Sequence, residues 1–247
     1  MVDYNPGPEI IEASSVELHK IVSWINTDPA LPQNAVLIGG WAVDVYNSYF
    51  GSVDIDLVVE YTASQLLIEH LKIHEGYVTK IRYPFDTVKK DSQHGEIILD
   101  LISHEGPYGY EGHPEVPFTW DILTGNTVFR NVRGGAKIQV PNRSVLVLLK
   151  LKAAWDRTYR ILHQTSLETG YEGHKMIKDC ADILALIDPV RGGREIDLEI
   201  LGTLISRADF LKENILQIPD IDAVRDRYQL MTEQEIRRVC EDFVSIL

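Results

Sequence analysis

Long apolar runs are missing from this chain. The longest, such as Val145 to Leu149, fall far short of the ~20 residues that a membrane-spanning helix needs. Residues 1–6 lack the basic-then-apolar pattern of a secretory leader. Cysteine is scarce as well. Cys180 and Cys240 are the only two, both in helix-like segments, which excludes a disulfide framework and a CxxC pair. A cytoplasmic protein with no membrane partner is the expectation. Basic residues are also in deficit, 24 Lys and Arg against 37 Asp and Glu, for a net charge of −13. That balance excludes broad, non-specific binding to nucleic acid, which depends on neutralising phosphates. No internal repeat or low-complexity segment is visible.

What is present is ordinary globular material: 247 residues, 45% hydrophobic and 25% charged, enough for one large domain or two small ones. The charge is unevenly spread. Residues 1–141 carry 9 basic and 19 acidic side chains, and residues 142–247 carry 15 and 18. Within 143–178 the balance reverses, with 7 basic against 3 acidic. An acidic first part and a locally basic second would suit metal ions on one side and phosphates on the other. Solvated helix faces would produce the same pattern.

The periodicity divides the chain near the same point. An irregular arm with Pro6 and Pro8 should precede a helix opened by a Ser14-Ser15-Val16-Glu17 capping box and running to about Asp28. Ala35–Ile38 reads as a buried strand, Gly39-Gly40 as a tight turn and Trp41–Phe50 as a helix. Val53–Glu60 is the clearest strand, with Asp54 and Asp56 on one face. Thr62 and Gln65 mark a helix to about Glu75, and strands follow at 76–83, 96–103, 126–130 and 136–140. A loop rich in Gly, Pro and aromatics fills 104–125. From Asn142 onward nearly everything is helix-periodic, ending in a helix opened by Thr232-Glu233-Gln234-Glu235. The expected fold is an α/β (α+β) domain with a mixed sheet over 1–141, followed by a helical bundle over 142–247.

Three features could carry chemistry. Gly39-Gly40 lies between a strand and a helix, where glycine lets a phosphate approach the backbone and free N–H groups face it. Most such pairs are merely turns. Asp54 and Asp56 place two carboxylates on one face of an apolar strand, near enough to repel unless a divalent cation joins them. A solvent-facing strand edge is the plainer alternative. Asp100 stands alone among Ile97, Ile98, Leu99, Leu101 and Ile102, a setting in which an unpaired carboxylate is costly. On a strand beside the first two, it could complete a site for two cations.

Leu37-Ile38-Gly39-Gly40-Trp41, followed by Ser52-Val53-Asp54-Ile55-Asp56-Leu57, resembles the signature of the DNA polymerase β-like nucleotidyltransferase superfamily. The resemblance implies Mg²⁺ (or Mn²⁺) as cofactor and a nucleoside triphosphate as substrate. It also implies a hydroxyl acceptor (small molecule, RNA or protein) and catalysis in the cleft between the two parts. Asp54, Asp56 and Asp100 become metal-binding and catalytic residues, and Gly39, Gly40 and Ser52 become nucleotide contacts. Further on, Leu149-Lys150-Leu151-Lys152-Ala153 with Arg157, and Lys178-Asp179-Cys180-Ala181-Asp182, look like motifs of AbiEii-type nucleotidyltransferases, the toxins of abortive-infection systems. That likeness implies phosphate contacts from Lys150 and Arg157, a second motif at Asp179 and Asp182, and an antitoxin partner. An interhelical salt-bridge set is the structural alternative for these residues. The likeness covers roughly residues 35–187. One departure stands out: relatives carry Arg-x-Thr before the Asp-x-Asp, and this chain has Phe50-Gly51-Ser52-Val53.

Two rival functions remain open on sequence. One is a transferase acting on an aminoglycoside or lincosamide antibiotic, whose cationic forms an acidic surface would attract. The other is a non-catalytic nucleotide-binding protein of the same fold. His70 and His74, four apart on a helix, lack an evident third ligand. Trp120, Tyr108 and Tyr110 suit packing better than stacking on a substrate, and no Ser, Cys or Thr lies in a nucleophile motif.

Overall fold

A computed structural model describes residues 6–27, 31, 35–82, 85–104 and 108–247. They form two compact units. One holds the described residues up to 104 together with 120–142, and the other holds 108–119 with 143–247.

The first unit opens with α1 (Pro8–Ile25), which begins before the Ser14 capping box expected from sequence. Pro8 sits in the first turn, where its missing N–H costs nothing. Ser14 and Ser15 are therefore buried inside the helix instead of capping it. Ile11, Leu18, Ile21, Val22 and Ile25 supply the buried stripe. Of the expected arm, residues 1–5 lie outside the described residues.

Among the described residues, seven strands make one mixed sheet: β1 (Ala35–Ile38), β2 (Ile55–Val59), β3 (Val78–Arg82), β4 (Phe85–Ser92), β5 (Gly95–Ser103), β6 (Thr127–Asn131) and β7 (Lys137–Pro141). Their order is β3-β4-β5-β2-β1-β7-β6. β2 runs parallel to β5 and antiparallel to β1, so the strand that follows the glycine turn sits at the centre of the sheet. The central strands are apolar (Leu37, Ile55, Leu57, Leu99, Val140), as strands covered on both faces must be. Helices α2 (Gly39–Tyr46) and α3 (Tyr61–His74) complete the unit, and α3 begins after Glu60 with no side-chain cap. β4 was missed in the sequence because Phe-Asp-Thr-Val-Lys-Lys-Asp-Ser lacks the alternation of a half-buried strand. It is held by a hairpin to β5, closed at Gly95 with φ 135°.

The second unit is helical: α4 (Arg143–Leu162), α5 (Thr169–Ile187), α6 (Leu198–Ile205), α7 (Phe210–Gln217), α8 (Asp222–Arg227) and α9 (Glu233–Ser245). α4 packs along α5 and also meets α6 and α7, while α5 meets α8 and α9. Leu148, Leu151, Ile183, Leu184, Leu201, Ile215 and Ile236 form its core. The capping box at Thr232 and Glu235 forms as the sequence indicates, with both reciprocal bonds made. Among the described residues, no helix is long and apolar enough to cross a membrane.

Candidate active site

β1 ends at Ile38, and the chain turns at once into α2 through Gly39, whose φ is +69°. The turn is tighter than expected, because Gly39 and Gly40 themselves form the first residues of the helix. Ile38 is the register partner of Asp56 on the antiparallel neighbour. That pairing lays the Asp56 side chain against Gly39. A Cβ at Gly39 would stand 2.9 Å from the Asp56 carboxyl carbon and closer still to Oδ2. Position 39 thus needs glycine for its backbone and for its bareness. Gly39→Ala should cost about 1–2 kcal/mol from the left-handed backbone alone, with more from displacing Asp56. Denaturant unfolding reads that cost, and a variant as stable as the wild type would show that the turn relaxes freely.

Asp56 has a second register partner, Asp100, on the parallel strand β5. Residues paired directly across neighbouring strands project to the same face, so two carboxylates are brought side by side. Asp100 is 4% exposed and accepts a 2.6 Å hydrogen bond from the Thr87 hydroxyl, its partner on β4. Thr87 escaped sequence reasoning because its strand did. Asp54 lies one residue before β2, on a bend, instead of within the strand as expected. Ser52 is buried just before the same bend. Among the described residues, no group of three or more His, Cys, Asp and Glu side chains is gathered as a metal cage. The paired Asp56 and Asp100 nonetheless offer hard oxygen donors, the type a divalent cation takes. Beside them stands a glycine whose missing side chain leaves one carboxylate uncovered by its neighbour.

The second-unit residues form a separate construction. Lys150, 5% exposed on α4, donates to Asp179 at 2.9 Å and lies 2.6 Å from Asp182, both on α5. Arg157 bonds Asp179 at 2.9 Å and Glu172 at 2.8 Å. Arg160 adds contacts to Glu172 and Glu111, and Lys178 shares Asp182 at 2.9 Å. The four residues marked by motif likeness are thus joined to one another across α4 and α5, the salt-bridge arrangement raised as their alternative. Lys178 joined this set unforeseen. Its signal was the i,i+4 spacing to Asp182.

Burial alone would raise the Asp179 pKa, but the charges of Lys150, Arg157 and Lys178 outweigh it and hold the carboxyl well below the usual range. Glu172 is lowered in the same way, with burial opposed by Arg160 and Arg157. A carboxylate depressed in the folded state contributes stability that is complete above its unfolded pKa and lost as pH falls through the folded one. Unfolding free energy should therefore hold steady down to about pH 5 and drop below about pH 4. Lys150→Met should flatten that acid limb, and an unchanged limb would mean that these pairs do not set it.

No protein-family model matches the chain, and no curated protein matches it. Solved structures give likenesses. One is the solution structure of the antibiotic-resistance factor ANT(2″)-Ia, 13% identical over 83% of this chain and 97% of that one, with a TM-score of 0.47. Another is ANT(2″)-Ia in complex with adenylyl-2″-tobramycin, 14% identical over 79% and 98%, also at 0.47. A third is the lincomycin-bound lincosamide antibiotic adenylyltransferase LnuA, 18% identical over 69% and 94%, at 0.42.

Proposed function

We propose that the chain is a nucleotidyltransferase that moves a nucleoside monophosphate from a nucleoside triphosphate to a hydroxyl acceptor. The observation that carries this reading is the direct register of Asp56 with Asp100, beside a bare glycine that opens a helix. Asp56 and Asp100, with Asp54 drawn in from the preceding bend, would hold Mg²⁺ or Mn²⁺. When bound, one or two such ions supply positive charge to the triphosphate and make the acceptor hydroxyl more acidic. The chain's own residues do the rest. The first N–H groups of α2, at Gly39 and Gly40, lack helical partners and face the phosphates. Ser52, buried just before the bend at Asp54, would add a hydroxyl contact. The acceptor oxygen forms a bond to the α-phosphorus as the bond to the β-phosphate oxygen breaks, and pyrophosphate leaves. The hydroxyl proton passes to Asp100.

The role given to Asp100 separates binding from chemistry. Asp100→Asn should leave triphosphate affinity within a few-fold, since Asp54 and Asp56 remain. It should still lower the single-turnover rate by orders of magnitude, because the base is missing only where it matters, in the transition state. Near-normal chemistry in a destabilised protein would instead make Asp100 a structural partner of Thr87.

The surplus of 13 negative charges favours a cationic small molecule as acceptor, the class to which aminoglycosides belong, over RNA. A toxin role with a cognate antitoxin rests on the motif likeness of the second unit. There Lys150, Arg157, Asp179 and Asp182 are engaged with one another. Pyrophosphate release, assayed with each triphosphate against aminoglycosides, lincosamides, RNA and protein, separates these acceptors.

A further inference from the structure

Arg133, on the turn between β6 and β7, reaches across the first unit to α2. Its Nε donates to Asp44 Oδ2 at 2.8 Å, and its Nη2 donates to Oδ1, a two-point grip on one carboxylate. Asp44 is 5% exposed and lies one helical turn beyond Gly40. The same guanidinium lies over the Trp41 ring, 5.2 Å from its centroid. It also covers the bend before Asp54, since a Cβ on Gly51 (φ +92°) would meet Nη2 at 3.3 Å. A second tie runs from Trp41 to that bend. Trp41 Nε1 donates to Ser14 Oγ at 3.1 Å, and Ser14 Oγ donates to the Val53 carbonyl at 2.7 Å. Val53 is the residue immediately before Asp54.

α2 and the 51–54 segment are separate stretches that carry the glycine amides and the Asp54 carboxylate of the proposed site. The β1–β2 pairing of Ile38 with Asp56 fixes the first residue of α2 beside β2, and residues 51–54 lie outside that pairing. One guanidinium and one hydroxyl tie that segment to the body of α2. We infer that Arg133 is a positioning residue that locks the Gly39-Gly40 end of α2 to the bend before Asp54, so that phosphate-binding amides and carboxylates are spaced before the nucleotide arrives. The inference rests on the proposed function and names a residue acting through Asp44 and Trp41. Arginine suits the task because its planar fork binds a carboxylate at two points while its face lies on an aromatic ring. A lysine would keep the charge and lose both.

The test uses the full chain with Arg133→Gln, Arg133→Lys, Asp44→Asn and the double variant Asp44→Asn/Arg133→Gln. Amide exchange is followed by segment, and affinity for ATP, GTP, CTP and UTP with MgCl₂ is measured by calorimetry. Arg133→Gln should speed exchange at least tenfold in 41–46 and 52–54 while leaving the β4–β5 hairpin unchanged. It should weaken the best-binding triphosphate at least tenfold. Arg133→Lys should recover only part of either effect. The double variant should be no worse than Arg133→Gln alone, because each removes the same interaction. Exchange rising evenly across the sheet, or a lowered melting temperature with unchanged affinity, would overturn the inference. Should Arg133→Gln fail to fold, Arg133→Lys reads the same quantities. If the wild type binds none of the four triphosphates, the proposed function fails. The exchange pattern then decides the tie by itself, a localised rise keeping it and an even rise removing it.

Discussion

Lys150→Met is expected to destabilise the protein by about 3–5 kcal/mol, the usual cost of removing one partner from a buried ion pair. Lys150 is 5% exposed, and its ammonium serves Asp179 and Asp182 together. Without it, two buried carboxylates lie beside each other, with Arg157 and Lys178 left to offset them. Burial works to lower the Lys150 pKa, but Asp179 and Asp182 overcome it and hold the ammonium charged. Adding Asp182→Asn should recover part of the loss, since it removes one of the two neighbouring carboxylates that Lys150 no longer offsets. Unfolding in denaturant, followed by helical circular dichroism, gives these values. Triphosphate affinity of the folded variant should stay within a few-fold of wild type. A large loss of affinity with little loss of stability would return Lys150 to the phosphates and remove it from the helical frame.

Asp56→Asn should act in the opposite sense, sparing the fold and ending turnover. Asp56 and Asp100 are like charges in direct register. Neutralising one relieves their repulsion, so the melting temperature should hold or rise. Loss of an oxygen proposed to hold the metal should remove several kcal/mol of transition-state stabilisation, and at 1.36 kcal/mol per tenfold the rate should fall roughly a thousandfold or more. Stabilisation of the wild type by MgCl₂ with triphosphate should be lost in the variant. A folded Asp56→Asn protein that retains its rate would take Asp56 out of the chemistry.

Local patterns carried much of the architecture. Ala35–Ile38 is a short apolar run that ends at Gly39, the strand at Ile55 follows the break at Gly51-Ser52, and the helical texture after Asn142 is plain in its spacing. A mixed sheet followed by helices is what the chain forms. The expected start of α1 was late because Ser14 reads as a cap, whereas its hydroxyl serves the Val53 carbonyl 39 residues away. β4 could not be seen because a hairpin partner holds it, not its own alternation. Around the site, the glycine turn and the lone Asp100 were conspicuous for what they lacked, a side chain in one case and polar neighbours in the other. The register of Asp56 with Asp100 depends on a pairing between strands some 40 residues apart, which period and propensity do not specify. Thr87 and Arg133 come to the first unit's carboxylates only through such pairings. Lys150 shows the opposite limit. Its motif was visible, but a lysine at that spacing serves a phosphate or a pair of aspartates equally well until the facing helix is placed.

The most direct test of the nucleotidyltransferase reading follows the label from a triphosphate. Each of the four triphosphates, labelled at the α- or the γ-phosphate, is incubated with the protein, MgCl₂ and the acceptor panel. We expect α-label covalently on an acceptor with one pyrophosphate released per transfer, no γ-label on any acceptor, and neither product with Asp56→Asn. Transfer of γ-label, or equal α-label transfer by the wild type and Asp56→Asn, would contradict it.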